Sequence, residues 1–245
     1  MSGDGGRDGP SACAVVVPAH NEAGHLAATL SSIGTAALHH DLAGVTVLTV
    51  VVADDCTDGT AAAARGFGAL VVEVSCRNVG AARAAGVAEA LDRLRAHGDG
   101  VWIVTTDADT LVPPHWLAHH LRHARAGWEC LAGTVRLAPH AELSAATVAR
   151  HDARYFDGRP AVPALWSHPH VHGANLGIAA AAYRRAGGFP PLPYSEDRAL
   201  VAALERDGRR ILRTDLCPVL TSGRPDARAP HGFGAHLRAL AVTDN

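Results

Sequence analysis

The sequence predicts an α/β fold in which a mostly parallel, Rossmann-like sheet is flanked by helices, and three observations support this prediction. Apolar runs alternate four times with segments of helical periodicity in the first 110 residues, which is the pattern of right-handed β-α-β units. Polar residues follow the apolar runs, as at the carboxyl ends of parallel strands. The chain has neither Gly-x-Gly-x-x-Gly after the first run nor Gly-Lys-Ser/Thr, which argues against a dinucleotide fold and a P-loop.

The first half of the chain has the more regular pattern. Val45–Val52 is a nearly continuous β-branched run, as expected of a central parallel strand. Leu26, Leu30 and Ile33 have the spacing of one helix face. We predict strands at residues 12–18, 45–52, 69–74 and 101–104, and helices that end near residue 38, begin at residue 60, and extend from residue 78 to about residue 97.

The second half is less regular. Three prolines at positions 160, 163 and 169 predict a loop over residues 157–171. We predict helices at 114–126, 141–156, 179–186 and 195–207, strands at 130–137, 173–178 and 210–214, a Gly/Pro/Arg-rich loop at 221–232 and a terminal helix at 236–241.

A chain of 245 residues is long enough for one large domain with a substantial core. The Gly/Asp-rich residues 1–10 lack the apolar core of a signal peptide and are predicted to be a disordered tail. We expect the domain to span residues 11–223, in two halves at 11–110 and 111–223, with a flexible loop and terminal helix at 224–245.

Composition excludes several classes of function. A net charge of −2 and a pI near 6.8 give no basic field for nucleic acid. The five cysteines lack paired C-x-x-C spacing, so we expect no zinc site or disulfide framework, and a reducing cytoplasm fits. No apolar stretch approaches the length of a membrane span, about 18 residues. A homodimer is one assembly left open.

Asp107 and Asp109 follow the apolar run 101–104 and end a predicted strand. Two carboxylates in one turn suit Mg²⁺ or Mn²⁺, which are most useful beside phosphate. The alternative is a turn whose aspartates cap backbone N–H groups. Asn21, Glu22 and Asp54 are predicted at the same sheet edge. Helix N-termini facing that edge would welcome an anion such as a nucleoside diphosphate.

Seven stretches, taken in order, resemble the family 2-type glycosyltransferases with the GT-A fold, of the non-processive, soluble type found in bacteria. The resemblance covers roughly Ala12 to Gly223. Each stretch alone is weak evidence, and the order and spacing give the specificity. The stretches are VVVPAHNE (15–22), VVADDCTDGT (51–60), NVGAAR (78–83), TDAD (106–109), GANLGI (173–178), GGF (187–189) and SED (195–197).

The resemblance implies a nucleotide-sugar half at 11–110 and an acceptor half at 111–223. It implies Asp197 as catalytic base and Asp109 with Asp107 as the metal site. Asp107 would also approach the ribose. Separately, we expect the loop at 221–232 to fold over a bound diphosphate, with His231, Arg224 or Arg228 touching phosphate or metal, and we add His231 to the metal site. The nucleotide sugar would be bound by Pro18, Ala19, Asn21, Glu22, Asp54, Arg83, Asp107, Ala108, Asn175 and Glu196.

Within that set, the resemblance places Glu22 on the ribose and Asp54 on a base N–H. Where the family often has Asp-Asp-Gly-Ser, this chain has Ala-Asp-Asp-Cys, and we favour Asp54 over Asp55. Other interpretations remain for single residues. Arg83 is either a donor ligand or a surface arginine, and Glu196 with Asp197 is either catalytic or a helix-capping pair.

The implied activity is transfer of a sugar from a nucleotide-diphospho sugar, UDP-sugars favoured, to an unknown hydroxyl acceptor with inversion. The chain has no glutamine, so the Gln-x-x-Arg-Trp motif of processive synthases is absent. The alternatives are a retaining transferase on the same fold and a non-catalytic module that binds sugar nucleotides. A nucleotidyltransferase is less favoured, because no Gly/Lys-rich first loop is present.

Overall fold

The computed structural model describes residues 9–139, 144–160 and 166–224. The strands in these ranges are β1 (Ala12–Ala19), β2 (Thr46–Asp54), β3 (Leu70–Val74), β4 (Val101–Thr105), β5 (Thr110–Leu111), β6 (Cys130–Leu137), β7 (Leu176–Ala179) and β8 (Ile211–Thr221). The α-helices are α1 (Ala23–Ala37), α2 (Thr60–Gly66), α3 (Val79–Arg93), α4 (Trp116–Arg125), α5 (Ala145–Tyr155), α6 (Ala180–Arg185) and α7 (Glu196–Arg206). Short 3₁₀ helices occupy His40–Leu42, Arg95–His97 and Gly173–Asn175.

The continuous apolar sequence of β1 is explained by helices on both faces of the sheet. Successive side chains of a strand point to opposite faces. Val15 and Val17 join a core cluster with Leu26 of α1, whereas Val16 joins a second cluster with Val87 of α3. Both layers therefore require apolar residues from one strand, and the simple alternation of a half-exposed strand is absent.

The strand order is β3-β2-β1-β4-β7-β6-β8-β5. The first four strands along the chain are parallel, since β1 pairs in parallel with β2 and β4, and β2 pairs in parallel with β3. The chain passes from β1 outward to β3 and then returns to the other side of β1 at β4. This reversal is a topological switch point, at which loops diverge and leave a crevice at the carboxyl ends of the strands.

The second half continues the same sheet with mixed directions. Strand β7 is antiparallel to both β4 and β6, as expected of a return strand. The strand was predicted at 173–178, but Gly173–Asn175 form a 3₁₀ helix and the strand is Leu176–Ala179. Strand β8 runs parallel to β6 and antiparallel to the short strand β5. The helix predicted at 141–156 is observed at Ala145–Tyr155, and its predicted start falls outside the described residues.

The strand predicted at residues 210–214 is longer than expected, because β8 continues to Thr221. The additional residues include the polar Asp215 and Pro218. The ladder with β6 is interrupted there: Gly133 pairs with Thr214 and Val135 pairs with Val219. Pro218 therefore lies at an irregularity where a missing N–H costs little.

The predicted α/β class is confirmed, with one sheet flanked by helices in a single domain. In the part of the chain that the structure describes, no helix has the length and apolar character needed to cross a bilayer. The predicted terminal helix, the loop beyond residue 224 and most of the predicted tail fall outside the described ranges.

Candidate active site

A cleft of about 940 Å³ opens at the carboxyl ends of β1, β2 and β4. Helix α5, residues 170–174 and the start of α7 form its other wall. Residues that are distant in sequence are thus gathered at the switch point. The predicted site residues that line the cleft are Pro18, Ala19, Glu22, Asp54, Arg83, Asp107, Ala108, Asp109, Glu196 and Asp197.

Asp107 and Asp109 follow β4, and each meets a guanidinium. Arg83 Nη2 donates to Asp107 Oδ1, and Arg224 Nη2 lies 3.1 Å from Asp109 Oδ2. Burial and the charge of Asp107 raise the pKa of Asp109 to about 6, against the opposing effect of Arg224. Burial also raises the pKa of Asp107; Arg83 opposes this rise, and Asp197 adds to it. The wall is thus a concentrated site of negative charge that favours cations.

Arg83 is buried, with 3% of its surface exposed, and bridges two parts of the cleft. Its Nη1 donates to Glu196 Oε1 at the start of α7, and its Nη2 donates to Asp107 beyond β4. A Cβ on Gly173 would lie 2.4 Å from Arg83 Cζ, so only glycine leaves room for the guanidinium. The surface interpretation of Arg83 is therefore wrong, because α3 points this side chain into the centre of the site.

Asp197 is held at the first turn of α7 by backbone donors. Gly173 N donates to Asp197 Oδ2 at 2.7 Å, and Arg198 N donates to Oδ1 at 2.7 Å. The preceding Ser195 is left-handed, with φ of 60° and ψ of 19°, which is a costly conformation for a residue with a side chain. This backbone directs Glu196 to Arg83 and Asp197 to the cleft.

The loop after β1 is connected to the loop after β2. Asn21 has φ of 52°, and its Oδ1 accepts from Thr57 N at 2.8 Å. Glu22 N donates to Thr60 Oγ1 at 2.8 Å. The Glu22 carboxylate in turn accepts from Arg224 Nη1 at 3.0 Å. Glu22 thus lines the cleft, whereas the side chain of Asn21 joins the loops together.

Asp54 lines the cleft but also stabilises a loop. Its Oδ1 accepts from Cys76 N at 2.6 Å and Arg77 N at 2.8 Å, and its Oδ2 accepts from Asn78 N at 2.9 Å. A carboxylate has about four acceptor positions. Three are therefore used by the segment between β3 and α3, and the predicted contact with a base N–H has one position left.

Asn175 lies in the core and does not line the cleft. Its Nδ2 donates to the carbonyl oxygens of Thr134 and Cys217, both at 2.9 Å, and its Oδ1 accepts from Trp116 Nε1 at 2.9 Å. The side chain is 1% exposed. Buried amides need such partners, so the geometry gives Asn175 a structural role and does not support the predicted contact with a nucleotide sugar.

The wall of the cleft that is formed by α5 and residues 170–174 is built from aromatic rings. Tyr155 stacks on His170 with ring centroids 3.9 Å apart. Tyr155 OH accepts from Val135 N at 3.1 Å and lies 2.9 Å from His172 Nε2. Burial lowers the pKa of His172 to about 3. The Tyr155 hydroxyl and the neutral His172 ring therefore share one hydrogen bond, which stays in place at neutral pH.

Arg224 and the ring cluster around Tyr155 are features whose contacts sequence reasoning did not predict. Arg224 was expected only as a member of a loop that could touch phosphate. Strand β5 pairs with the end of β8, and Ser222 N donates to Asp109 O at 3.2 Å, which brings Arg224 to the carboxylates. The proposed metal ligand His231 lies outside the described residues.

The model of glycosyl transferase family 2 matches residues 14–185, which include β1 to β4 and their loops. This match covers more than half of the 245-residue chain. The chain therefore belongs to glycosyl transferase family 2. A search of curated proteins finds no match.

Solved structures with the same fold include three glycosyltransferases. S. aureus TarS 1-349 in complex with UDP-GlcNAc has a TM-score of 0.65 and 15% identity, and the match covers 94% of this chain and 65% of that one. Mannosyltransferase PcManGT from Pyrobaculum calidifontis, in complex with GDP-Man and Mn²⁺, has a TM-score of 0.61 and 22% identity over 98% and 66% of the two chains.

Glucosyl-3-phosphoglycerate synthase from Mycobacterium tuberculosis was solved with Mn²⁺, UDP and glucosyl-3-phosphoglycerate. Its TM-score is 0.55 at 20% identity, over 95% of this chain and 79% of that one. These likenesses confirm the GT-A fold. The present chain spans just under two thirds of TarS 1-349 and 42% of the longer S. aureus TarS structure.

Proposed function

We propose that this protein transfers a sugar from a nucleotide-diphospho sugar, with UDP-sugars favoured, to an acceptor hydroxyl with inversion and with a divalent metal. One observation carries the proposal: the acidic pair Asp107 and Asp109 lines the same cleft as Asp197, which comes from a different element. Asp107 and Asp109 suit a cation beside the leaving diphosphate, and Asp197 suits the incoming hydroxyl.

The donor set at Asp107 and Asp109 fits Mg²⁺ or Mn²⁺. Both ligands are hard carboxylate oxygens, and burial together with the charge of Asp107 raises the pKa of Asp109 to about 6. In the described ranges no third His, Cys, Asp or Glu joins this pair in a closed cage. Magnesium sites beside phosphates commonly use one or two carboxylates, with substrate oxygens and water as the remaining ligands. When bound, the cation would offset charge on the departing diphosphate.

The solved relatives support this donor class. The TarS structure contains UDP-GlcNAc, the PcManGT structure contains GDP-Man with Mn²⁺, and the synthase structure contains UDP with Mn²⁺. The chain's own Glu22 and Asp54 lie at the ends of β1 and β2, where a nucleoside would lie against the switch point. We propose Glu22 for the ribose and the remaining acceptor position of Asp54 for the base.

Asp197 is the proposed general base. Its two oxygens each accept a single backbone hydrogen bond, from Gly173 and Arg198, so each retains capacity for the acceptor hydroxyl. Withdrawing the proton from that hydroxyl as it attacks is typically worth about 10²–10⁴-fold in rate.

The experiment is a thermal-shift screen of sugar nucleotides, each with and without Mn²⁺, followed by assay of nucleoside diphosphate release. A donor present at about 100 times its dissociation constant should stabilise the protein by about 2.7 kcal/mol. Asp109→Asn should lose the Mn²⁺-dependent part of the shift, whereas Asp99→Asn, on the surface beside Arg184, should retain it. No shift with any sugar nucleotide would contradict the proposal. NMR of the product anomer tests inversion.

A further inference from the structure

We propose that the acceptor carries an anionic group, a phosphate or a carboxylate, that binds Arg154 and Arg198 in the cleft beside Asp197. This inference rests on the proposed function, because it names the acceptor class of the same site. Both arginines line the cleft, Arg154 from the last turn of α5 and Arg198 from the first turn of α7.

The other arginines of the cleft are already paired with carboxylates. Arg83 binds Glu196 and Asp107, and Arg224 binds Glu22 and Asp109. Arg77 binds Asp55. By contrast, the structure shows no ion pair between either Arg154 or Arg198 and any residue within 9–139, 144–160 or 166–224. Two positive charges are therefore left for a ligand on this side of the cleft.

The carboxylates of the cleft are equally accounted for, with one exception. Arg83 binds Asp107 and Glu196, and Arg224 binds Glu22 and Asp109. Asp54 accepts from three backbone N–H groups. The remaining carboxylate is Asp197, directly before Arg198 in sequence. An acceptor anchored by its anion on Arg198 would thus be held close to the proposed base.

The rings of His170 and His172 are neutral and supply no competing charge. Burial lowers the pKa of His170 and His172, and the positive charge of Arg198 lowers both further. His170 Nε2 donates to the carbonyl oxygen of Tyr155 at 2.6 Å. The guanidinium groups of Arg154 and Arg198 are therefore positive charges that do not depend on pH near neutrality, and the rings provide a flat surface beside them.

An anionic acceptor needs such a site, because the facing wall is acidic. Repulsion from Asp107 and Asp109 would disfavour an anion unless fixed cations offset it. Guanidinium groups bind phosphate and carboxylate with two parallel hydrogen bonds, which fixes orientation as well as position. Binding the anion therefore also sets which hydroxyl of the acceptor approaches Asp197.

Two sources share this chemistry: a small phosphorylated or carboxylated hydroxy compound, and a lipid phosphate headgroup. The test starts from protein saturated with Mn²⁺ and with the nucleoside diphosphate that gives the largest thermal shift, so that the donor site is filled. Calorimetric titration with phosphoglyceric acid and with inorganic phosphate examines the first source. Co-sedimentation with phosphatidylcholine vesicles, with and without phosphatidic acid, examines the second.

The expected result is anion binding that weakens by about tenfold or more in Arg154→Gln and in Arg198→Gln, because each substitution removes a charge-assisted contact. Arg206→Gln is the matched control, since Arg206 is an exposed arginine at the far end of α7. Binding confined to the small anions or to the phosphatidic acid vesicles identifies the source. The inference is overturned if no anionic probe binds, or if both variants bind as the wild type does.

Failure of the proposed function is separately visible. It appears in the first step, as absence of binding by every sugar nucleotide and nucleoside diphosphate to the wild-type protein, and that step involves no substitution of Arg154 or Arg198. The anion titrations are then made on the nucleotide-free protein with the same three variants. Loss of anion binding in Arg154→Gln and in Arg198→Gln, but not in Arg206→Gln, would support the anion site even if the proposed function were wrong.

Discussion

Arg83 shows how much of the site depends on a single residue. It joins α3 to the start of α7 through Glu196 and to the end of β4 through Asp107. Because Arg83 and Glu196 are both buried, Glu196 cannot exchange this partner for water without a rearrangement. Arg83 therefore sets the relative positions of the proposed diphosphate and acceptor ends.

Replacement of Arg83 by methionine should destabilise the protein by about 3–5 kcal/mol, because Glu196 is left as an unpaired buried carboxylate. The double variant Arg83→Met/Glu196→Gln should recover much of that loss. Arg65→Met, which removes an exposed pair with Glu73, should cost about 0–1 kcal/mol. Urea denaturation measures all three, and equal losses for Arg83→Met and Arg65→Met would contradict this account.

Asp197→Asn should lower kcat by about 10²–10⁴-fold, because the amide cannot take the acceptor proton. Binding of the sugar nucleotide should change little, and steady-state kinetics with calorimetry separates the two effects. Asp207→Asn is the control, since Asp207 lies just after α7 and pairs with Arg209 on the surface. Full activity of Asp197→Asn would instead favour the retaining mechanism.

At the scale of single residues, the sequence identifies those candidate site residues that lie in short local motifs. Asp107, Asp109 and Asp197 each follow recognisable patterns, and all three line the cleft. The contact between Glu22 and Arg224 spans 202 positions, and no local signal connects them. Asn175 was misassigned because an amide in a motif resembles a ligand until its buried partners are seen.

Helix α3 is the element that brings the two halves of the cleft together. A Cβ on Gly86 would lie 2.6 Å from a methyl group of Val16, so glycine lets this helix approach the sheet. A Cβ on Gly80 would lie 2.1 Å from Pro190 O, and Gly80 N donates to Leu192 O at 3.1 Å. The segment before α7 is therefore docked on the first turn of α3.

Gly80→Ala should reduce stability by about 1–3 kcal/mol through overpacking. It should also reduce transfer, since residues 190–192 lead directly to Ser195 and Asp197. Gly34→Ala in α1 is the matched substitution in open space, with no atom within 4 Å of the added Cβ. It should stabilise the protein by about 0.5–1 kcal/mol. Thermal unfolding and transfer assays compare them, and an unaffected Gly80→Ala would contradict the docking.

Most elements were predictable because their burial patterns are local. Strand β6 has the predicted bounds, whereas β8 is longer than predicted. The difference lies in tertiary pairing: the irregularity opposite Thr134 accommodates Pro218, and a single sequence contains no indication of it. The two-residue strand β5 depends entirely on its partner β8 and was likewise missed.

Across the whole molecule, several histidines are buried and neutral. Burial lowers the pKa values of His119, His120 and His172 to about 3. An unfolded histidine has a pKa near 6.5. Between these values the unfolded chain binds more protons than the folded chain, so the free energy of unfolding rises with pH and falls as the solution becomes acidic.

Stability should therefore fall below about pH 6.5, with each such histidine contributing up to about 1.4 kcal/mol per pH unit. Asp109, whose pKa is raised to about 6, and Asp107, whose pKa is also raised, contribute the opposite slope. Urea denaturation between about pH 7.5 and about pH 5 measures the net effect. His120→Leu should flatten the curve, whereas His40→Asn, at an 86% exposed side chain, should not. Identical slopes for wild type and His120→Leu would contradict this explanation.

The placement of the two walls also has an evolutionary consequence. Residues at the strand ends, from Pro18 to Asp109, come from one part of the chain, and those from His151 to Arg198 come from a later one. Under the proposed function, a lineage could recombine the later stretch and acquire new acceptors while keeping the same sugar donor. Arg83 and Glu196 sit on opposite sides of that seam, and any viable chimaera must keep them matched.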